Sequence, residues 1–245
     1  MNKIKLGIII FISTLILIIA CDAQAKKIKI DSDISINTSY NYVWRGQLIT
    51  SGVAIQPTIG SIIGGVGARM WENFDINSAE VTRNEFRLSY VTQSESLKFS
   101  VGTVFYARSI LDDTMEVYVT IGEFSQLNTS ITIYYDFLKG NGAFISTSYQ
   151  HTFGEVTQLN VKGSLNINIG DKVMGFDSSG AAFTGLYNVE LSFYSDLPLS
   201  EAISFRPNGG ISLPLGPAAS AAISSLSKGR SSINFYIGAT MLFRY

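Results

Sequence analysis

The sequence predicts an all-β protein: a transmembrane antiparallel β-barrel of about twelve strands over residues 26–245, preceded by a cleaved signal peptide over residues 1–25. Three observations carry this. A period-2 alternation of apolar and polar residues recurs along nearly the whole chain. The connections alternate between short and long. The last segment, residues 233–245, has one apolar face (Ile233, Phe235, Ile237, Ala239, Met241, Phe243, Tyr245) and one mostly polar face, and it closes on an aromatic residue. Successive strand side chains point to opposite sides, so such a segment suits lipid on one side and water on the other.

The amino terminus predicts an exported protein. Lys3 and Lys5 precede an apolar run, Leu6 to Ala20, and Ala23-Gln24-Ala25 reads as a cleavage signal before Lys26. The run falls short of a membrane-spanning helix, which needs about 20 apolar residues. Ile18-Ile19-Ala20-Cys21 also fits a lipobox, in which Cys21 would be lipidated. Cleavage after Ala25 is the preferred reading, because a chain that already spans a membrane gains nothing from a lipid anchor. A chain cut there has no cysteine, hence no disulfide and no thiol chemistry.

The strands follow in order. The first alternates Ile34, Ile36, Thr38, Tyr40, Tyr42 and Trp44 with Ser35, Asn37, Ser39 and Asn41. The second holds Val53, Ile55, Pro57 and Ile59, with a bulge or a strand start expected at Pro57. A weaker third spans 66–71. The fourth sets Phe86, Leu88 and Tyr90 against Glu85, Arg87 and Ser89. The fifth sets Phe99, Val101 and Phe105 against Lys98, Tyr106 and Arg108. Similar runs centre on 115–121, 131–137, 143–150, 159–169 and 188–194. An eleventh, near 202–213, is broken by Pro207 and Gly209-Gly210, and 233–245 is the twelfth. The connections after even strands are all short; those after odd strands include 170–185 and 214–230, the two longest. Short inner turns with longer external loops are the expected asymmetry of an outer-membrane barrel. Both long segments are rich in Gly, Ser and Ala and read as loops, with no helix of length.

A barrel of this size has a narrow interior. The polar face places Arg45, Arg69, Arg83, Arg87, Lys98, Arg108, Lys162, Arg206 and Arg244 inside with Glu85, Glu116, Asp136, Glu190 and Asp196. The bias is positive. It is consistent with a pore that favours small anions, and equally with a salt-bridged interior that packs the barrel. Tyr42, Trp44, Tyr90, Phe105, Phe243 and Tyr245 are expected on the outer face as interfacial girdles.

Asn41-Tyr42-Val43-Trp44-Arg45-Gly46-Gln47, followed by Val53-Ala54-Ile55-Gln56-Pro57, resembles the TorF-like porin family of outer-membrane proteins. There the first strand ends in a Tyr-x-aromatic-Arg-Gly motif and a Pro/Gln segment follows the loop. The resemblance implies a porin-like barrel. In this motif Trp44 would face lipid, Arg45 the lumen or its mouth, with a structural role for Arg45 preferred over a solute contact.

Other chemistry is sparse. His151 is the only histidine and falls at the inner end of its strand, so a Ser-His hydrolase is disfavoured. One histidine offers no metal cluster, and Asp112, Asp113 and Glu116 read as a solvated loop and a lumen charge rather than a cation site. No cofactor is implied. The near-neutral charge, 18 Lys and Arg against 19 Asp and Glu, argues against a nucleic-acid partner. The expected function is passive diffusion of small hydrophilic solutes across the outer membrane. The alternative is a non-conducting barrel that presents loops 170–185 and 214–230 to a partner. Expected partners are outer-membrane lipid, the barrel-assembly machinery through strand 233–245, and small solutes. A homo-oligomer fits the class, although no outward polar patch marks an interface.

Overall fold

A chain of strands satisfies its backbone in lipid only by closing on itself. The computed structural model describes residues 30–94, 97–109, 112–122, 128–155 and 158–244, and the sheet does close. The leader expected over 1–25, Cys21 within it, and Tyr245 lie outside the described residues. The strands are β1 (Ile30–Trp44), β2 (Gln47–Ile63), β3 (Val66–Asp75), β4 (Glu80–Gln93), β5 (Lys98–Arg108), β6 (Thr114–Gly122), β7 (Thr129–Asp136), β8 (Gly142–Phe153), β9 (Leu159–Ile169), β10 (Thr184–Ser195), β11 (Leu197–Pro198), β12 (Ile203–Pro214) and β13 (Asn234–Arg244). Neighbours pair antiparallel in chain order from β1 to β10; β13 pairs with β1, and β12 joins β13 to β10. β11 is a two-residue piece paired only with β12, so twelve strands form the wall.

Asp33 stands opposite Arg244, which puts both ends of the barrel chain at one rim. That rim carries the tight turns, such as Gly64-Gly65; the other carries the two long loops. We call the second rim external.

The alternation sorts side chains as expected over most of the wall. Each wall strand sets an exposed large apolar or aromatic side chain outward: Ile36, Ile59, Met70, Phe86, Phe105, Ile121, Ile133, Tyr149, Leu165, Leu191, Ile211 and Ile237. On β13, Ile237 is 59% exposed while Asn234, on the other face, is 2% exposed. The apolar band is on the outside and the amides and hydroxyls are within. An exposed apolar belt on every strand would be untenable in water and fits a lipid surroundings.

Four expectations are corrected. Tyr42 and Trp44 face inward. Asn41 has a φ of 68°, and the β1–β2 register shifts between Tyr40 and Tyr42, so the side chains beyond it change face. The segment 214–230 holds a helix, α1 (Pro217–Leu226). Its Pro lies in the first turn and its body is Ala-rich, both good helix chemistry that a loop reading overlooks. Pro57 is neither a bulge nor a strand start: β2 runs straight through it, pairing Pro57 with Ile36, while the β2–β3 ladder steps from Ile55 to Thr58 without it. β12 is unbroken at Pro207, because the β10 ladder ends at Asn208 and β11 resumes only at Phe205.

Candidate functional site

The external half of the lumen is narrowed by three pieces of chain. The first is the β1–β2 hairpin. β1 pairs with β13 only as far as Tyr40, and β2 meets β3 only from Ala54 onward, so the tip between is laddered only to itself. Arg45 (φ 48°) and Gly46 (φ 84°) make its two-residue turn, where positive φ at both positions suits the twist of the strands. The tip leans across the lumen. The Gly46 carbonyl accepts from Asn234 Nδ2 at 2.7 Å, and a Cβ on Gly46 would stand 3.0 Å from the Asn188 and Ser212 side chains. On the other side, Arg45 reaches β6 and donates to both oxygens of Glu116, each at 2.7 Å.

The second and third pieces are the loop 170–183 and α1. Val173 and Met174 of the loop pack with Ala219, Ala222 and Ile223 of α1 and with Phe144, Phe183 and Tyr187. The buried α1 residues recur at three- and four-residue spacing, one helix face. Polar ties fix the assembly. Gln47 Nε2 donates to the Val173 carbonyl at 3.1 Å, Tyr187 OH to the Met174 carbonyl at 2.8 Å, and Asn168 Nδ2 to the Phe183 carbonyl at 2.7 Å. Leu48 N donates to Ser227 Oγ at 3.1 Å, and Lys228 pairs with Asp75 at 2.8 Å. Both segments expected as outward loops therefore bury side chains inside the barrel.

The charged residues named from the sequence meet different surroundings. Several are spent on each other. Glu116, 0% exposed, also accepts from Tyr106 OH at 2.8 Å, and the Arg45 guanidinium lies 4.3 Å from the Tyr134 ring centre and 4.4 Å from that of Phe144. Arg83 pairs with Glu85 at 3.0 Å and stacks on Trp44 at 3.7 Å. Arg206 pairs with Asp196 at 2.6 Å near the inner rim. Asp136 is buried and accepts from Thr114 Oγ1 at 2.5 Å and from the backbone N–H groups of Leu138 and Lys139. Arg108 Nε donates to the Asp112 carbonyl at the external rim at 2.9 Å. A second group faces open lumen: Lys162 and Glu190 line one cavity, and Arg87 lines another with Arg69, Tyr42 and Trp71. Lys98 sits at the inner end of β5 opposite Gly122. Of Arg244 only the backbone pairing with Asp33 is described.

Below the hairpin the wall is bound by a belt of amides and hydroxyls. Asn208 donates to Asn37 (3.1 Å), Asn37 to Gln56 (2.8 Å), Gln56 to Asn73 (2.8 Å), and Asn73 to Thr50 and Thr82 (2.8 and 2.7 Å). The chain crosses from β12 to β4. Asn73, fully buried, is its hub. Asn73→Ala strands Gln56 and Thr50, while Thr82 keeps its bond to the residue-73 carbonyl, and should lower stability by about 1–3 kcal/mol, read as a lower urea midpoint for the barrel refolded in lipid vesicles. Next to the belt is a cavity of about 260 Å³ lined by Asn37, Ser39, Tyr42, Lys162, Glu190 and Tyr236. A second, about 380 Å³, lies toward the inner rim beside Arg206 and Tyr194. His151 points outward, its ring edge-on to Phe153 at 4.4 Å, so it takes no part in the lumen.

Reading by alternation missed Tyr42, Trp44, Thr82 and Tyr187. Each sits by a register shift at the external end of its hairpin or strand pair. Their one signal is local: Thr82 and Arg83, like Tyr187 and Asn188, are adjacent residues that both point inward.

The solved structures show the same architecture. A structure described as KdgM porin aligns with a TM-score of 0.56 and 11% identity over 87% of this chain and 99% of that one. A NanC porin aligns with a TM-score of 0.53 and 12% identity over 86% of this chain and 99% of that one. The fold is that of a porin barrel. No protein-family profile and no curated protein matches the sequence.

Proposed function

We propose that the chain is an outer-membrane channel that passes small hydrophilic solutes by diffusion, with a mild preference for anions and an external half narrowed by its own hairpin and loops. The observation that carries this is the enclosed polar lumen inside an apolar belt: a wall built only to present a surface would have no need of an amide-lined interior. The likeness to porin barrels supports the class, and the 41–57 motif supports membership of the TorF-like family. The apolar face of β13 suits recognition by the barrel-assembly machinery.

The anion preference rests on Arg87 and Lys162. Neither forms an ion pair among the described residues, whereas Arg45, Arg83 and Arg206 are all paired. The test is planar-bilayer recording of refolded protein, with reversal potentials in a salt gradient. Discrete conductance steps are expected, and Arg87→Glu with Lys162→Glu should move the reversal potential toward cation selectivity. Silent bilayers across several voltages would sink the channel; steps with an unmoved reversal potential would remove only the selectivity. The inward burial of both long loops weighs against the alternative, a barrel that displays 170–185 and 214–230 to a partner.

A further inference from the structure

Asp171 opens the loop 170–183 and lies at the bottom of a shaped cradle. It is 0% exposed. Its Oδ1 caps the turn that follows, accepting from Val173 N at 2.9 Å. Its Oδ2 is buried with no hydrogen-bond partner. Carboxylate oxygens of Asp171, Glu116 and Asp136 all lie within 4.8 Å of one another. The wall makes room for this meeting. A Cβ on Gly140 would stand 2.0 Å from Asp171 Oδ1, and one on Gly142 would stand 2.2 Å from the Asp171 backbone nitrogen. Any larger residue at either position would push the loop out.

What satisfies the orphan oxygen follows from what its neighbours already hold. Arg45 engages both oxygens of Glu116, and Tyr106 adds a further donor. Thr114 and two backbone N–H groups hold Asp136. One acceptor atom lacks one donor. A calcium ion wants six to eight oxygens and would find these largely occupied. A single hydrogen suffices.

We propose that a proton shared between Asp171 and the Glu116–Asp136 carboxylates latches the loop 170–183 into the lumen, so that the plug loosens as that proton is lost to water. As a neutral acid, Asp171 carries a hydrogen among carboxylate oxygens that lie within 4.8 Å, and a small turn of its side chain brings one of them into donor range. As an anion, it adds a charge to two carboxylates in a site closed to water, and the docked loop is penalised. The charged and titratable groups that face it are Glu116 from β6, Asp136 from β7, Arg45 from the hairpin, Arg108 from β5 and Tyr187 from β10. Only the two arginines are cations, and Arg45 is committed to Glu116.

Burial pushes the Asp171 carboxyl up to about 6, with Arg45 and the Val173 N–H opposing the rise. Freed into solvent, an Asp ionises near pH 4. The docked loop therefore holds the extra proton. Docking is unpenalised below about pH 4, weakens as pH rises toward about 6, and is constant above that. The docked-to-undocked ratio should fall by about 100-fold across the window. Asp177, also in the loop, is held below the usual carboxylate range by its hydrogen bonds from Ser179.

The test is spin-label mobility. The full chain with Cys21→Ser and Ala181→Cys is refolded in lipid vesicles and labelled at the exposed position 181. The label should be immobilised at pH 4 and mobile at pH 7.5. With Asp171→Asn added, which keeps the Val173 acceptor and supplies a permanent donor, it should be immobilised at both. A wild-type label that ignores pH, or an Asn variant that still responds, would overturn the latch. So would immobilisation at pH 7.5 that requires added Ca²⁺. Bilayer recordings run in parallel separate this from the channel reading: a pH-dependent label over a silent bilayer keeps the latch and loses the channel, and conductance with a pH-blind label does the reverse.

Discussion

Ile223→Asp should widen the passage through the barrel severalfold while leaving the wall intact. Ile223 is 0% exposed and sits where α1 meets the loop 170–183 and the Phe144–Tyr187 wall. A carboxylate there has no partner, and burying an unpaired charge costs several kcal/mol. A ten-residue helix has little stability of its own and depends on its packed face. The cheapest response is for α1 to swing out. The ladders of the twelve wall strands do not depend on it. Single-channel conductance should rise, while the strand signal in circular dichroism and the heat-dependent gel shift of the folded barrel stay as in the parent. Unchanged conductance with a properly folded wall would mean that α1 does not limit passage.

Arg45→Leu should be the most damaging single substitution in the lumen, by about 3–5 kcal/mol, because it leaves Glu116 buried without its counter-charge. Among the described residues, only Tyr106 would remain to hold that carboxylate. The hairpin tip would lose its ion pair to β6. A drop in the urea midpoint in vesicles measures the cost. Arg45→Leu with Glu116→Leu should recover most of it, since an apolar pair needs no compensation, and a double-mutant cycle isolates the coupling. A cost below about 1 kcal/mol for Arg45→Leu would place Glu116 in water and discount the ion pair.

These effects differ in how far the chain announces them. That Glu116 faces inward follows from alternation; Arg45, beyond the reversal at Asn41, is brought inward by its place in the hairpin turn. That the two meet does not follow from alternation: they are 71 positions apart, on strands that face each other only once the sheet has closed. The same holds for Asp171, which reads as the polar start of a loop until Gly140 and Gly142 of the neighbouring wall are seen to receive it. Trp44 faces inward because the register shifts on either side of Tyr42, next to Asn41 at positive φ, break the alternation there. A bulge costs one residue and flips every side chain that follows, and nothing in the period-2 pattern marks it.

The sequence by itself determined the wall: twelve alternating segments, their order, the rim that bears the long connections, and an apolar outside against a polar inside. Alternation is a local property, and lipid on one side with unpaired backbone forbidden leaves a closed sheet as the one solution. Only the tertiary structure decided what occupies the interior. The hairpin, the loop and α1 turn inward because residues distant in the chain offer them a buried partner, and such contacts exist only between surfaces that closure brings face to face.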